Sequence, residues 1–127
     1  MQLTLKDDLP FTKITVAYQG TSIEIANVLV DTGSATTVLS TDAVNPINIK
    51  PLPDDIIHFI RGVGGKESVF NRRVDFIQVG EHRQNNFDID VTGLDYGFEI
   101  NGILGMDFLR LAGSVIDLNE MNISFVH

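Results

Sequence analysis

Asp31-Thr32-Gly33-Ser34 is the stretch whose residue types and spacing can do chemistry. The apolar run Val28-Leu29-Val30 delivers a carboxylate into a Thr-Gly-Ser turn, and Val38-Leu39 lies just beyond it. β-Branched and apolar residues on both sides predict two buried strands, which puts Asp31 on the floor of the fold and not at a loop tip. An ionised Asp there is costly unless hydrogen-bonded or paired. Thr32, Gly33 and Ser34 offer donors from hydroxyls and backbone N–H groups, and Gly33 lets the chain turn tightly. Read alone, the tripeptide is equally a strand ending in an ordinary Asp-Gly turn.

Two other segments carry a similar density of signal. Arg61-Gly62-Val63-Gly64-Gly65-Lys66 has three glycines around one apolar residue, the composition of a pliable hairpin tip. Ile103-Leu104-Gly105 precedes a short apolar stretch, Met106 to Leu111, that opens a helix ended by Gly113.

The elements that must position these segments read as strands. Gln2 to Lys6, Phe11 to Tyr18 and Ser22 to Val30 alternate polar and apolar residues, the last two forming a hairpin through Gln19-Gly20. Ser40-Thr41-Asp42-Ala43 caps one helical turn that Asn45-Pro46 ends, and Pro51 and Pro53 mark an irregular connection. Further strands are predicted at Ile56 to Ile60, Ser68 to Phe70, Val74 to Val79 and Phe87 to Val91, with Glu81 to Asn86 as a polar turn. Ser114 to Leu118 and Met121 to Phe125 form a terminal hairpin. The fold class is all-β, one domain spanning 1–127.

Composition narrows the function. The 127 residues are 43% hydrophobic with positive mean hydropathy, so the chain folds around a real core. The net charge of −8 is spread along the chain without a basic cluster, which argues against nucleic acid and anionic membrane as partners. Cysteine is absent, which removes disulfides and thiolate chemistry, and no signal-peptide pattern or membrane-length apolar run is present. The expected location is cytoplasmic. Gly65-Lys66 falls short of a phosphate-binding loop, because Ile60 holds the earlier glycine position and Glu67 follows the lysine. His58, His82 and His127 lack metal-ligand spacing and read as surface residues, so neither a metal nor a cofactor is implied.

A strand ending in Asp-Thr-Gly, then a glycine-rich hairpin, then an apolar-apolar-Gly segment before a helix: in this order the three resemble the retropepsin-like aspartic proteases, single-domain relatives of retroviral proteases and pepsin. The matching residues are Val30-Asp31-Thr32-Gly33-Ser34, Gly62-Val63-Gly64-Gly65 and Ile103-Leu104-Gly105, with Thr37-Val38-Leu39 as the strand after the active-site turn. The resemblance implies an acid-protease barrel with one short C-terminal helix, hydrolysing peptide bonds with water activated by two carboxylates. This chain has one Asp-Thr-Gly, so it implies a symmetric homodimer with Asp31 from each subunit. Thr32 would then brace the two loops across the dimer, Gly33 would admit the substrate main chain, and Gly62 to Gly65 would form the flap. Ala35, Val38 and Ile103 become subsite candidates, and the terminal strands Gln2 to Lys6 and Met121 to Phe125 the dimer sheet.

Two departures stand out. Ser34 occupies a position where retroviral enzymes usually carry Ala, and its hydroxyl is expected to donate to Asp31, favouring the charged form and a more acidic activity profile. Ala35 and Met106 stand where many retroviral enzymes carry an Asp and an Arg that pair, so an apolar contact replaces an ion pair here. The rival reading is a catalytically silent, dimeric peptide-binding module of the same fold.

Overall fold

The computed structural model describes residues 1–62, 65–95 and 97–126. Its elements in chain order are β1 (Thr4–Lys6), β2 (Leu9–Tyr18), β3 (Thr21–Val30), β4 (Val38–Ser40), α1 (Thr41–Val44), β5 (His58–Gly62), β6 (Gly65–Val79), β7 (His82–Thr92), β8 (Gly102–Leu104), α2 (Met106–Leu111), β9 (Ser114–Asp117) and β10 (Asn122–Phe125). Eight strands hydrogen-bond in the order β1-β2-β3-β8-β4-β7-β6-β5. A further pairing of β2 with β6, Val16 opposite Ile77, closes this sheet on itself as a barrel. The all-β expectation holds.

Alternation builds the interior. Along β3, Val28 and Val30 point into the main core with Val16, Leu39, Ile77, Ile89, Leu104 and Phe108, whereas Leu29 points to the other face. Asn27 takes a left-handed φ of 58° where the β2–β3 register shifts, a conformation Asn tolerates better than most side chains. Ser40 caps α1 as its residue type predicts, its hydroxyl accepting the Ala43 N–H at 3.1 Å.

Two sequence expectations are corrected. The strands expected at Ser68 to Phe70 and Val74 to Val79 are one, β6, because the intervening polar residues find partners across the ladder. Asn71 reaches Asp90, its register partner, at 3.3 Å, and Arg73 grips its partner Asp88 through two bonds of 2.9 and 3.2 Å. The polar run Glu81 to Asn86 is likewise strand from His82 onward, its Arg83 donating to Gln78 and lying over the Phe76 ring. Local polarity reads as turn, and cross-strand pairing overrides it. His82 is not a surface residue either: its ring stacks on Phe125 and meets Phe108 edge-on.

Arg72 is buried in β6 and organises the irregular connection before β5. Its guanidinium donates to the Asp55 carboxylate at 2.5 Å and to the Lys50 carbonyl at 3.2 Å, and it lies over the Phe70 and Tyr18 rings. Asp55 in turn accepts the Leu52 N–H at 2.6 Å. Removing one member of a buried pair strands the other charge, so Asp55→Ala is expected to cost about 3 kcal/mol in urea unfolding. A loss of a few tenths would show that the pair is not what holds this connection.

Candidate active site

The end of β3 lies beside β8, in parallel register with Leu29 opposite Ile103 and Val30 opposite Leu104. β4 flanks β8 on the other side, Val38 opposite Ile103. Asp31 extends this register, its N–H donating to the Leu104 carbonyl at 3.0 Å. Leu29, Ile103 and Val38 therefore form a row across three adjacent strands, in one apolar cluster with Phe11 and Ile100. By strand alternation Asp31 has the parity of Leu29, on the face this row occupies. Ile103 is the buried centre of that row, and Val38 is half-buried.

The Asp31 side chain is half-exposed. Its Oδ1 accepts the Gly33 N–H at 2.9 Å, and its carbonyl accepts the Ser34 N–H at 3.2 Å. A Cβ on Gly33 would lie 3.1 Å from Oδ1, so glycine is what lets its amide approach this closely. No described basic side chain forms an ion pair with Asp31. A carboxylate has about four acceptor positions, and Asp31 has most of them open to whatever enters. Thr32 is exposed, and its hydroxyl has no hydrogen-bond partner among the described residues.

Ser34 corrects an expectation. Its hydroxyl donates to the Thr36 carbonyl at 2.8 Å and not to Asp31. The turn is tight enough that a backbone acceptor two residues on captures the proton first.

A second carboxylate, which sequence reasoning passed over, holds the whole turn in place. Asp107, the first acidic residue of α2, accepts the Thr37 N–H at 3.1 Å, the Thr37 hydroxyl at 2.7 Å and the Phe108 N–H at 2.7 Å. The fully buried Thr37 hydroxyl itself accepts the Gly105 N–H at 3.1 Å. Backbone bonds from Met106 to the Ser34 carbonyl (2.8 Å) and from Asp107 to the Ala35 carbonyl (3.2 Å) complete the lock. Gly105 is forced by contact, since a Cβ there would sit 2.2 Å from the Thr36 oxygen. The signal was present in the sequence as Thr37 and Asp107 flanking the two motifs, but nothing local says that they meet.

Ala35 and Met106, the pair standing in for an Asp and an Arg, do come together. They line one cavity with Asp107, Arg110 and Leu111. A neighbouring cavity is lined by Thr32, Met106, Leu109, Arg110, Gly113, Ser114 and Ile116. The glycine-rich hairpin is formed by β5 and β6, with Gly62 opposite Gly65. Val63 and Gly64, the expected flap tip, lie outside the described residues. No group of side chains among the described residues is arranged to hold a metal ion.

The family comparison decides what this geometry belongs to, for the aspartyl protease family matches this chain over residues 14–108, from β2 into α2. The chain is a member of the aspartyl protease family. Two solved structures share the retropepsin-like fold. A retropepsin-like aspartic protease from Rickettsia conorii superposes with a TM-score of 0.67 at 19% identity, covering 94% of this chain and 92% of its own. EIAV protease, complexed with the inhibitor HBY-793, superposes at 0.61 with 26% identity, covering 88% of this chain and 95% of its own. No curated protein matches this chain in sequence.

Two outcomes follow from these contacts. Thr37→Val removes the hydroxyl between Gly105 and Asp107 while keeping the shape, and should cost about 1–3 kcal/mol in chemical unfolding. A neutral result would mean that the lock contributes nothing. Ser34→Ala should leave the pH profile of any peptidase activity unchanged, because the hydroxyl is committed to Thr36. A shifted profile would place that hydroxyl on the Asp31 carboxylate after all.

Proposed function

We propose that this chain is an aspartic endopeptidase, a hydrolase working as a symmetric homodimer in which Asp31 of each protomer supplies one of two catalytic carboxylates. The observation that carries the reading is the contrast between its two site carboxylates. Asp107 accepts three donors, whereas Asp31 accepts one and has no ion-pair partner among the described residues. A carboxylate tied to three donors of the fold is structural. An under-coordinated one at the end of a core strand is free to act on a ligand.

Two such groups a few Å apart cannot both ionise, so they share one proton. The ionised Asp31 takes a proton from a water between the pair, and that water's oxygen attacks the scissile carbonyl carbon. The protonated Asp31 gives its proton to the carbonyl oxygen, forming a neutral tetrahedral diol. Collapse of the diol returns a proton to the leaving nitrogen and breaks the C–N bond. Because the proton belongs to the pair, activity should span a window of pH bounded by loss and gain of that single proton.

Thr32, Gly33 and Ser34 hold the turn, and Gly33 leaves room for a substrate main chain. The hairpin at Gly62, Val63, Gly64 and Gly65 closes over the peptide and excludes water. Val38 and Ile103, with Leu29 beside them, offer apolar surface to substrate side chains, and Ala35 opens the cavity it shares with Met106. The substrate class is therefore a polypeptide with apolar side chains flanking the cut bond.

Digestion of a proteome-derived peptide library at several pH values should give cleavage by the wild type, and Asp31→Asn should lower it about a thousandfold or more with the fold intact. Equal cleavage by both would remove Asp31 from the chemistry. Binding of peptides with no cleavage by either would favour a silent peptide-binding module.

A further inference from the structure

The chain carries a net charge of −8, yet one of its cavities has lysines as its only charged side chains. This cavity encloses about 550 Å³ between β1, β2 and β3, and its walls include Lys6, Lys13, Phe11 and Asn27 but no Asp or Glu. β1 pairs with β2 inside the chain, Lys6 opposite Leu9, so the fold itself places the strand that carries Lys6.

Lys6 is half-buried and held in place. Its ammonium lies 5.7 Å from the centre of the Phe11 ring and donates to Asn27 Oδ1 at 2.6 Å. Both anchors are neutral, and no carboxylate among the described residues pairs with this lysine. An ammonium has three donors, of which Asn27 takes one. Lys13 is held more loosely, its Nζ 4.0 Å from Glu24 with both side chains more than half exposed, a contact that contributes little.

The cavity adjoins the candidate active site through Phe11. This ring lines the cavity and also packs in the apolar cluster of Leu29, Val38 and Ile103, with Leu29 as its register partner across the β2–β3 ladder. Phe98 meets it edge-on at 6.5 Å. Asn27 precedes Asp31 by four positions, about 13 Å of extended backbone. A peptide running from the Asp31 carboxylate over the apolar row therefore reaches Lys6 about four residues from the bond being cut.

We infer that Lys6 is a specificity-determining residue, its cavity taking an acidic side chain of the polypeptide substrate about four residues from the cut bond. The inference rests on the endopeptidase reading above and adds a charged outer determinant to the apolar inner one. A Glu or Asp carboxylate accepts the remaining N–H groups of Lys6 beside the Phe11 ring, where a partly buried pair is screened less than one on an open surface. With one Asp31 from each of two copies, the cavity occurs on both sides of the cut, so acidic residues are selected on both flanks.

The test uses matched fluorescent peptides with a central apolar pair and either Glu or Gln about four residues out on each side. Binding is read by anisotropy on the Asp31→Asn protein, and cleavage on the wild type. The Glu peptide should bind about three- to fivefold tighter than the Gln peptide and be cut in preference to it, an advantage that shrinks in about 1 M NaCl. Lys6→Met keeps the apolar stem on Phe11 and should abolish the preference, whereas Lys6→Arg should retain it. Asp31-dependent cleavage that treats Glu and Gln alike, or a Glu preference that survives in Lys6→Met, overturns this inference and leaves the endopeptidase reading standing. A Glu preference in binding that Lys6→Met removes, with no cleavage by the wild type, overturns the endopeptidase reading and keeps the acidic subsite. Neither binding nor cleavage of either peptide overturns both.

Discussion

The turn that carries Asp31 depends on a half-buried carboxylate at the start of α2, Asp107, which accepts three hydrogen bonds. With Thr37 and Gly105 it locks the turn after β3 to the start of α2, through contacts that a longer side chain at Gly105 would destroy. The catalytic candidate is freed by this arrangement. Because Asp107 holds the loop, Asp31 does not have to, and its half-exposed carboxylate carries one backbone donor among the described residues. The barrel itself serves the same end. β3, β8 and β4 sit side by side so that two chain segments some seventy residues apart can clasp each other beneath Asp31.

The consequence is that the Asp31 turn can be rigid in a single chain. The turn is fixed by contacts within the chain, and the exposed Thr32 and the cavity beside it face outward. Ala35 and Met106 meet at a cavity they share with Arg110, one helical turn further on. Arg110 also lines the neighbouring cavity that Ser114 and Ile116 of β9 border.

Much of this was legible in the sequence. Asp31-Thr32-Gly33, the glycine-rich hairpin and Ile103-Leu104-Gly105 carry their meaning in their own residue types and order, and the caps at Ser40 and Gly113 are local events. What was not legible is long-range. Nothing near Asp107 reveals that it binds Thr37, and nothing near Arg72 reveals Asp55 as its partner, so the polar centre of β6 read as a break. Ser34 was misread for a related reason: residue type supplies a donor, but only the turn geometry chooses between the Asp31 carboxylate and the Thr36 carbonyl. Of the strand expected at Gln2 to Lys6, Thr4–Lys6 pairs with β2 and Gln2 makes an isolated bridge to Asn122, partners that only the fold could fix.

The central claim is that catalysis needs two copies of Asp31. Peptidase rate measured against protein concentration, through and below the range where sedimentation shows the dimer dissociating, tests this most directly. The account predicts a rate that falls with the square of concentration once monomer dominates. A rate strictly proportional to concentration far below dimer dissociation would show a complete active site in one chain and contradict it.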